Sequence, residues 1–253
     1  MLVVVVVLAY ILVSSGGGSP LIGKRVSSSD MLSLEQIANN NTLANKVGAG
    51  IVVPGPGSNL PKKVTGMPLT AYGKPEVFYV GGDYCPYCAV TRWGLILALM
   101  RFGNFTSLEY MQSSPTDYAA DTPTFSFTNA SYSSTIVHFD GLELTNRSGG
   151  GIPGANLTAV EQLAYNRYAG SGGIPFIDFG NTSVQSGASV SPVLIHRYTW
   201  SEIIRNISVP GSEMAQGIIG NADVFTAAIC ASNSTINATA SVCKQPYVKK
   251  ILG

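Results

Sequence analysis

Apolar and polar positions alternate with two different periods along this 253-residue chain, and each period predicts an element. Residues 2–13 are an unbroken apolar run, followed by two serines and three glycines. The run suits the core of a signal peptide better than a full bilayer span, which needs about 20 residues. Extended to Ile22 it reaches the length of a single-pass anchor, so residues 1–22 are predicted as a signal or anchor segment. Residues 23–74 read as a linker and extended lead-in. The Ser/Gly-rich stretch 14–30 is expected to be a flexible tether. Residues 31–46 carry an irregular apolar stripe (Leu32, Leu34, Ile37, Leu43, Ala44) that predicts a helix, and 48–75 are rich in Pro and Gly. The domain proper is expected over 75–253. Val77-Phe78-Tyr79-Val80 predicts a strand stopped by Gly81-Gly82. Asp83-Tyr84-Cys85-Pro86-Tyr87-Cys88 then opens a helix to about Phe102, apolar except at Thr91, Arg92 and Arg101. A helix apolar nearly all round is buried on several sides.

Beyond it, 108–111 predicts a second strand, and the polar, Pro/Ser/Thr-rich stretch 113–132 reads as an insertion that extends to about residue 157. A third strand is predicted around Ile136-Val137-His138-Phe139. An amphipathic helix follows over about 157–168, its apolar side drawn from Leu157, Val160, Leu163 and Ala164. Gly172-Gly173 lead into the strand Ile174-Pro175-Phe176-Ile177-Asp178-Phe179, and helices are predicted at 199–207 and 223–231 as a C-terminal extension. Strands alternating with helices predict a layered α/β domain. No 20–50-residue repeat points to a solenoid.

Composition narrows the setting. Hydrophobic residues make up 45% of the chain and charged residues 11%, against roughly 25% charged in an ordinary soluble protein. The net charge of +1 leaves no electrostatic footprint for nucleic acid. An acidic exterior, where carboxylates would titrate, and a shield of glycans both accommodate so few charges. Asn-x-Ser/Thr triplets begin at Asn40, Asn104, Asn129, Asn146, Asn156, Asn181, Asn206, Asn233 and Asn237. That is about three times the chance expectation, and it points to export and N-linked glycans.

The chemistry is concentrated at Cys85 and Cys88. Free backbone N–H groups and the macrodipole at a helix start stabilise a thiolate. Two cysteines three apart in a first turn can close a small disulfide, the first attacking and the second resolving. Half a zinc site is the competing reading, but Cys230 and Cys243 lack the spacing of a second ligand pair, and His138 and His196 are isolated. No metal and no organic cofactor is implied. Arg92 lies on the same helical side as both thiols and would lower a thiol pKa, unless it is a surface or partner-binding arginine. Tyr84, Tyr87 and Trp93 are candidates for an apolar rim around the motif.

Residues 77–102 together with Ile174-Pro175-Phe176 resemble the thioredoxin superfamily. The longer blocks Tyr79-Val-Gly-Gly-Asp-Tyr-Cys-Pro-Tyr-Cys-Ala-Val-Thr-Arg-Trp93, Thr122-Pro-Thr-Phe-Ser-Phe, Ile174-Pro-Phe-Ile-Asp and Thr226-Ala-Ala-Ile-Cys are similar to an exported thioredoxin-like family of archaea and actinobacteria, over about residues 70–245. The resemblance implies a thioredoxin-like fold, Cys85 as nucleophile, Cys88 as resolving cysteine, Tyr84 as the aromatic neighbour and Pro175 as a cis-proline facing the disulfide. Two departures stand out. Tyr79 occupies the position, six residues before the first cysteine, where thioredoxins carry a buried acid. The segment between motif and proline is also long, as in exported oxidases and isomerases whose insertions shape a substrate groove.

In an exported protein Cys230 and Cys243 are expected to pair as a structural disulfide worth about 2–4 kcal/mol by the loop-entropy estimate; a second exchange-active pair is the alternative. The functional expectation is therefore an extracytoplasmic thiol–disulfide oxidoreductase, oxidase or isomerase, with protein thiols or a membrane redox partner as its counterparts. The alternative is a glycosylated cell-surface module in a larger assembly, with Cys85–Cys88 as a fixed disulfide.

Overall fold

The computed structural model describes residues 18–52, 59–170 and 172–253. The apolar run 2–13 lies outside these residues. Within them no helix is long and apolar enough to cross a membrane. Residues 19–22, the end of the expected anchor, form a turn held on the body of the protein. Ser19 N–H donates to the Gln112 side chain, and Gly23 N–H donates to the Tyr110 carbonyl at 2.9 Å. The stretch expected to be a tether is likewise docked at its C-terminal end: Val26 N–H donates to the Leu108 carbonyl, and the Val26 side chain is buried.

The helix expected over 31–46 is two helices, α1 (Ser28–Ala38) and α2 (Asn41–Val47). Asn40 breaks them because its side chain accepts from the Leu43 N–H and caps the second. Leu34, Ile37, Leu43 and Ala44 sit in the main core, so these residues are not a lead-in. Two short strands follow, β1 (Lys62–Lys63) and β2 (Thr70–Ala71). Then come β3 (Lys74–Gly81), α3 (Pro86–Leu99), β4 (Asn104–Gln112), β5 (Pro123–Ser133), β6 (His138–Glu143), α4 (Ala159–Tyr168), β7 (Phe176–Phe179) and β8 (Ser183–Ser186). The C-terminal part is helical: α5 (Trp200–Ile207), α6 (Gly220–Ser232), α7 (Ser234–Thr239) and α8 (Pro246–Leu252).

The architecture is α/β around a mixed sheet. In the middle lies β3, parallel to β6 on one side and antiparallel to β7 on the other; β8 and β1 continue beyond β7, and β2 folds back on β3. The two-residue period of the strands sorts side chains to opposite faces. Val77, Tyr79, Ile177 and Phe179 face a core built with α3 and α6, while Phe78, Val80 and Phe176 face a smaller core closed by Tyr165 and Ala169 at the end of α4. Every residue of α3 except Tyr87 is buried, as its uniform apolarity predicts.

Two predicted elements come out differently. Residues 113–132 contain most of β5, a long strand antiparallel to β4 whose Phe125 and Phe127 enter the main core. The stretch reads as polar although both faces of the strand are buried here: Thr124 and Ser126, on the face opposite Phe125 and Phe127, are buried as well. On α4 the expected apolar side is split: Val160 and Leu163 are exposed, whereas Leu157 packs on the smaller core and Ala164 is buried together with Glu161 and Tyr165.

Candidate functional site

The sharp end of β3 feeds directly into the cysteine motif. Cys85 is the N-cap of α3 in extended backbone conformation, and the Cys88 N–H donates to its sulfur at 3.2 Å. Pro86, at the first helical position, has no N–H to leave unpaired there. Both cysteines are free thiols; Cys85 is 7% exposed and Cys88 fully buried. Their acidities move in opposite directions. The Cys85 thiol is drawn down to about 7, chiefly by a hydrogen bond from the Cys88 thiol, with the Cys88 backbone N–H and Arg92 adding to it against the effect of burial. The Cys88 thiol is pushed well up, first by burial and then by its bond to Cys85, with Arg92 opposing.

Arg92 is neither a surface nor a partner-binding residue: it is wholly buried one turn below the motif. Its Nη1 lies 2.7 Å from Glu143 Oε1 and 3.8 Å from Asp83 Oδ1, donates to the Tyr79 hydroxyl at 3.4 Å, and its Nε donates to Thr124 at 3.3 Å. Glu143 arrives from β6, where the parallel register sets it beside Gly81. Burial raises its carboxyl to about 8 against the pull of Arg92. Asp83 is raised by burial too, again with Arg92 drawing it back. One oxygen on each carboxylate and Nη2 of the guanidinium have no hydrogen-bond partner, so this buried group has spare capacity for a proton or a water. Neither Glu143 nor Asp83 was singled out from the sequence; only the pairing of two strands could have drawn attention to Glu143.

Pro175 lies at the start of β7. The antiparallel register Val80↔Phe176 puts it next to Gly81, where the chain leaves β3 for the motif. The Ile174–Pro175 peptide is cis. Proline has no N–H, and its carbonyl already accepts from the Gly187 N–H at 2.7 Å, so Pro175 brings shape to the site rather than a free polar group. Tyr84 is half-buried and lines a cleft of about 500 Å³ with Ser114, Thr116, Asp117, Tyr118 and Ser148. Tyr87 is exposed, its ring 5.9 Å from that of Tyr118. Trp93 is not part of this rim: it is buried, and its indole N–H donates to the Pro123 carbonyl at 2.8 Å. A larger cavity of about 1020 Å³, between α2, α6 and α8, holds neither motif cysteine.

Cys230 and Cys243 form a disulfide across 13 residues, both sulfurs buried, tying the end of α6 to a 3₁₀ turn before α8. None of the nine sequon asparagines is buried. Several have structural work: Asn40 and Asn233 cap α2 and α7, while Asn129, Asn181 and Asn206 donate through Nδ2 to Glu109, Met67 and Glu202. His138 and His196 stand apart from both thiols; His138 lies 3.7 Å from Glu76, and His196 rests against the Val193 carbonyl.

Residues 61–169 match the family model described as a domain of unknown function, DUF929. The DUF929 match runs from β1 through α4 and so takes in the cysteine motif, Arg92 and Glu143, but stops short of Pro175 and of the Cys230–Cys243 disulfide. No curated protein and no solved structure matched the chain.

Proposed function

We propose that the chain is an extracytoplasmic, thioredoxin-like thiol–disulfide oxidoreductase, oxidase or isomerase in type, working through Cys85 and Cys88. The observation that carries this reading is the opposite displacement of two thiols on one helical turn: a sulfur drawn toward its thiolate at the N-cap, and a deeply buried partner kept protonated. In the reducing direction the Cys85 thiolate attacks one sulfur of a substrate disulfide. A mixed disulfide forms and the other substrate sulfur leaves as a thiolate. Cys88 then gives up its proton and attacks the Cys85 sulfur, releasing the second substrate thiolate and leaving Cys85–Cys88 oxidised. The oxidising direction is the reverse; in isomerisation a second substrate thiolate attacks the substrate sulfur of the mixed disulfide, forming the rearranged substrate disulfide and expelling the Cys85 thiolate. A protein thiol or a membrane redox partner resets the pair.

The Cys88 proton needs an acceptor. The buried acid that thioredoxins carry six residues before the motif is Tyr79 here, and Glu143 supports the same role from the neighbouring strand: its raised carboxyl and unpartnered oxygen suit proton exchange within the Arg92 cluster. The cleft beside Tyr84, walled by the segment that follows β4, suits a peptide chain carrying the substrate disulfide. The sequon excess and the Cys230–Cys243 disulfide support an exported, glycosylated protein.

The low exposure of Cys85 favours a second reading, a cell-surface module in which the pair is a fixed disulfide. Titrating the full-length chain with glutathione and dithiothreitol, with Cys85→Ser as control, separates the two. A potential of about −120 to −230 mV supports catalysis, while one below about −300 mV overturns it.

A further inference from the structure

On the face of the sheet opposite α3, under the first turn of α4, three carboxylates converge: Glu76 of β3, Asp140 of β6 and Glu161 of α4. The strand period puts Glu76 on the face of Phe78 and Val80, and the parallel register sets Asp140 beside Phe78. One oxygen from each residue lies within 4.8 Å of the others. We propose that these three residues bind one hard divalent cation of the calcium class.

Oxygens that share a calcium ion at 2.3–2.6 Å stand no more than about 5 Å apart, so the set is already within the required span. Glu161 is 2% exposed; its Oε2 accepts from the Thr158 N–H as part of the helix cap, and its Oε1 has no partner at all. Glu76 is 6% exposed. Burying carboxylates together demands a compensating positive charge or a proton held between them. Among the described residues the only basic group within 4.0 Å of any of the three is His138, whose Nε2 is 3.7 Å from Glu76 Oε1. Lys74, the nearest lysine on β3, donates instead to the Ser134 carbonyl at 2.6 Å. A donor set of oxygens alone suits calcium or magnesium rather than zinc, with water completing the shell. The bound ion would join β3, β6 and the N-terminus of α4, bracing the helix whose chain runs on into Pro175. The site is independent of the redox reading.

The test is calcium titration of the full-length chain at neutral pH after chelation, by calorimetry and by thermal unfolding. One ion per chain is expected, with Tm raised by about 5–10 °C at a hundredfold excess over Kd. Glu161→Gln should lose that calcium-dependent shift while its calcium-free Tm equals or exceeds that of the parent, because one repelling charge is gone. Asp140→Asn, at the more open position, should behave alike and serves if Glu161→Gln does not fold. Absence of saturable binding of calcium, magnesium and manganese overturns the proposal. So does binding unchanged in either variant. A Tm that rises only on acidification, with no response to metal, means the carboxylates share a proton and equally overturns it.

Discussion

At the first turn of α3 two opposing influences meet on the same pair of sulfurs. Hydrogen bonds from the Cys88 thiol and N–H and the charge of Arg92 favour an anion on Cys85, while burial disfavours one on Cys88. The consequence is measurable as a pH profile. Alkylation of the reduced chain by iodoacetamide should be fast above about pH 7 and fall as the pH drops through that value, because the thiolate is then lost. Cys85→Ser should abolish the reaction and Cys88→Ser should not; equal reactivity of both thiols would contradict the assignment. Cys85, Cys88 and Tyr84 could be read in the sequence because their relationship is local, four consecutive helix-start positions and the residue before them. Glu143 could not. It reaches Arg92 across 51 positions of sequence, through a strand register that no short pattern encodes.

Elements were legible where their apolar rhythm was undiluted. The strand at 77–80 and the helix after Cys85 stood out because every turn and every alternate position agreed. Strand β5 did not, since both of its faces are buried around Phe125 and Phe127 and the positions alternating with them are polar, held by hydrogen bonds: Thr124 donates to the Ala89 carbonyl at 2.8 Å and Ser126 to Thr128 at 3.0 Å. Its contribution to the core should nonetheless be large. Phe125 is fully buried with its ring centroid 4.7 Å from that of Trp93. Phe125→Ala should cost about 3–5 kcal/mol in urea unfolding, whereas an insertion loop without core residues would lose well under 1 kcal/mol. Helix α4 misled for a different reason. Its capping box, Thr158 with Glu161, turns the acidic side chain inward, and Val160 and Leu163 are left outside.

For the whole molecule, sparse charge acquires a thermodynamic meaning. Burial raises the carboxyls of Glu143 to about 8, Asp223 to about 7 and Asp178 to about 6, despite the help of Arg92, Arg101 and the Asn181 N–H respectively. Each binds its proton more tightly folded than unfolded. The stabilisation is therefore complete below the ordinary values of 3.8 for Asp and 4.5 for Glu, and is lost as the pH rises through about 6 to 8. Tm measured in chelator should fall between about pH 5 and 8, and Glu143→Gln should flatten the alkaline part of that slope; a Tm that climbs over the same interval would refute the argument. The α/β class was evident from the alternation of strands and helices. The docking of residues 19–47 was not, because the stripe in 31–46 is irregular and its helices are separated by a cap rather than by a proline or glycine.

The burial of α3 at every position but Tyr87 has a consequence for accessibility over time. Amides beyond the first turn of such a helix are expected to exchange with solvent chiefly through opening of the whole domain. The two cysteines therefore sit at the head of a helix expected to open slowly, and local fraying should expose the buried Cys88 little. On the proposed reading a partner must deliver its sulfur to the rim of the first turn, beside Cys85, and a reagent too bulky to enter there will report the lifetime of the native state instead of the reactivity of the thiol.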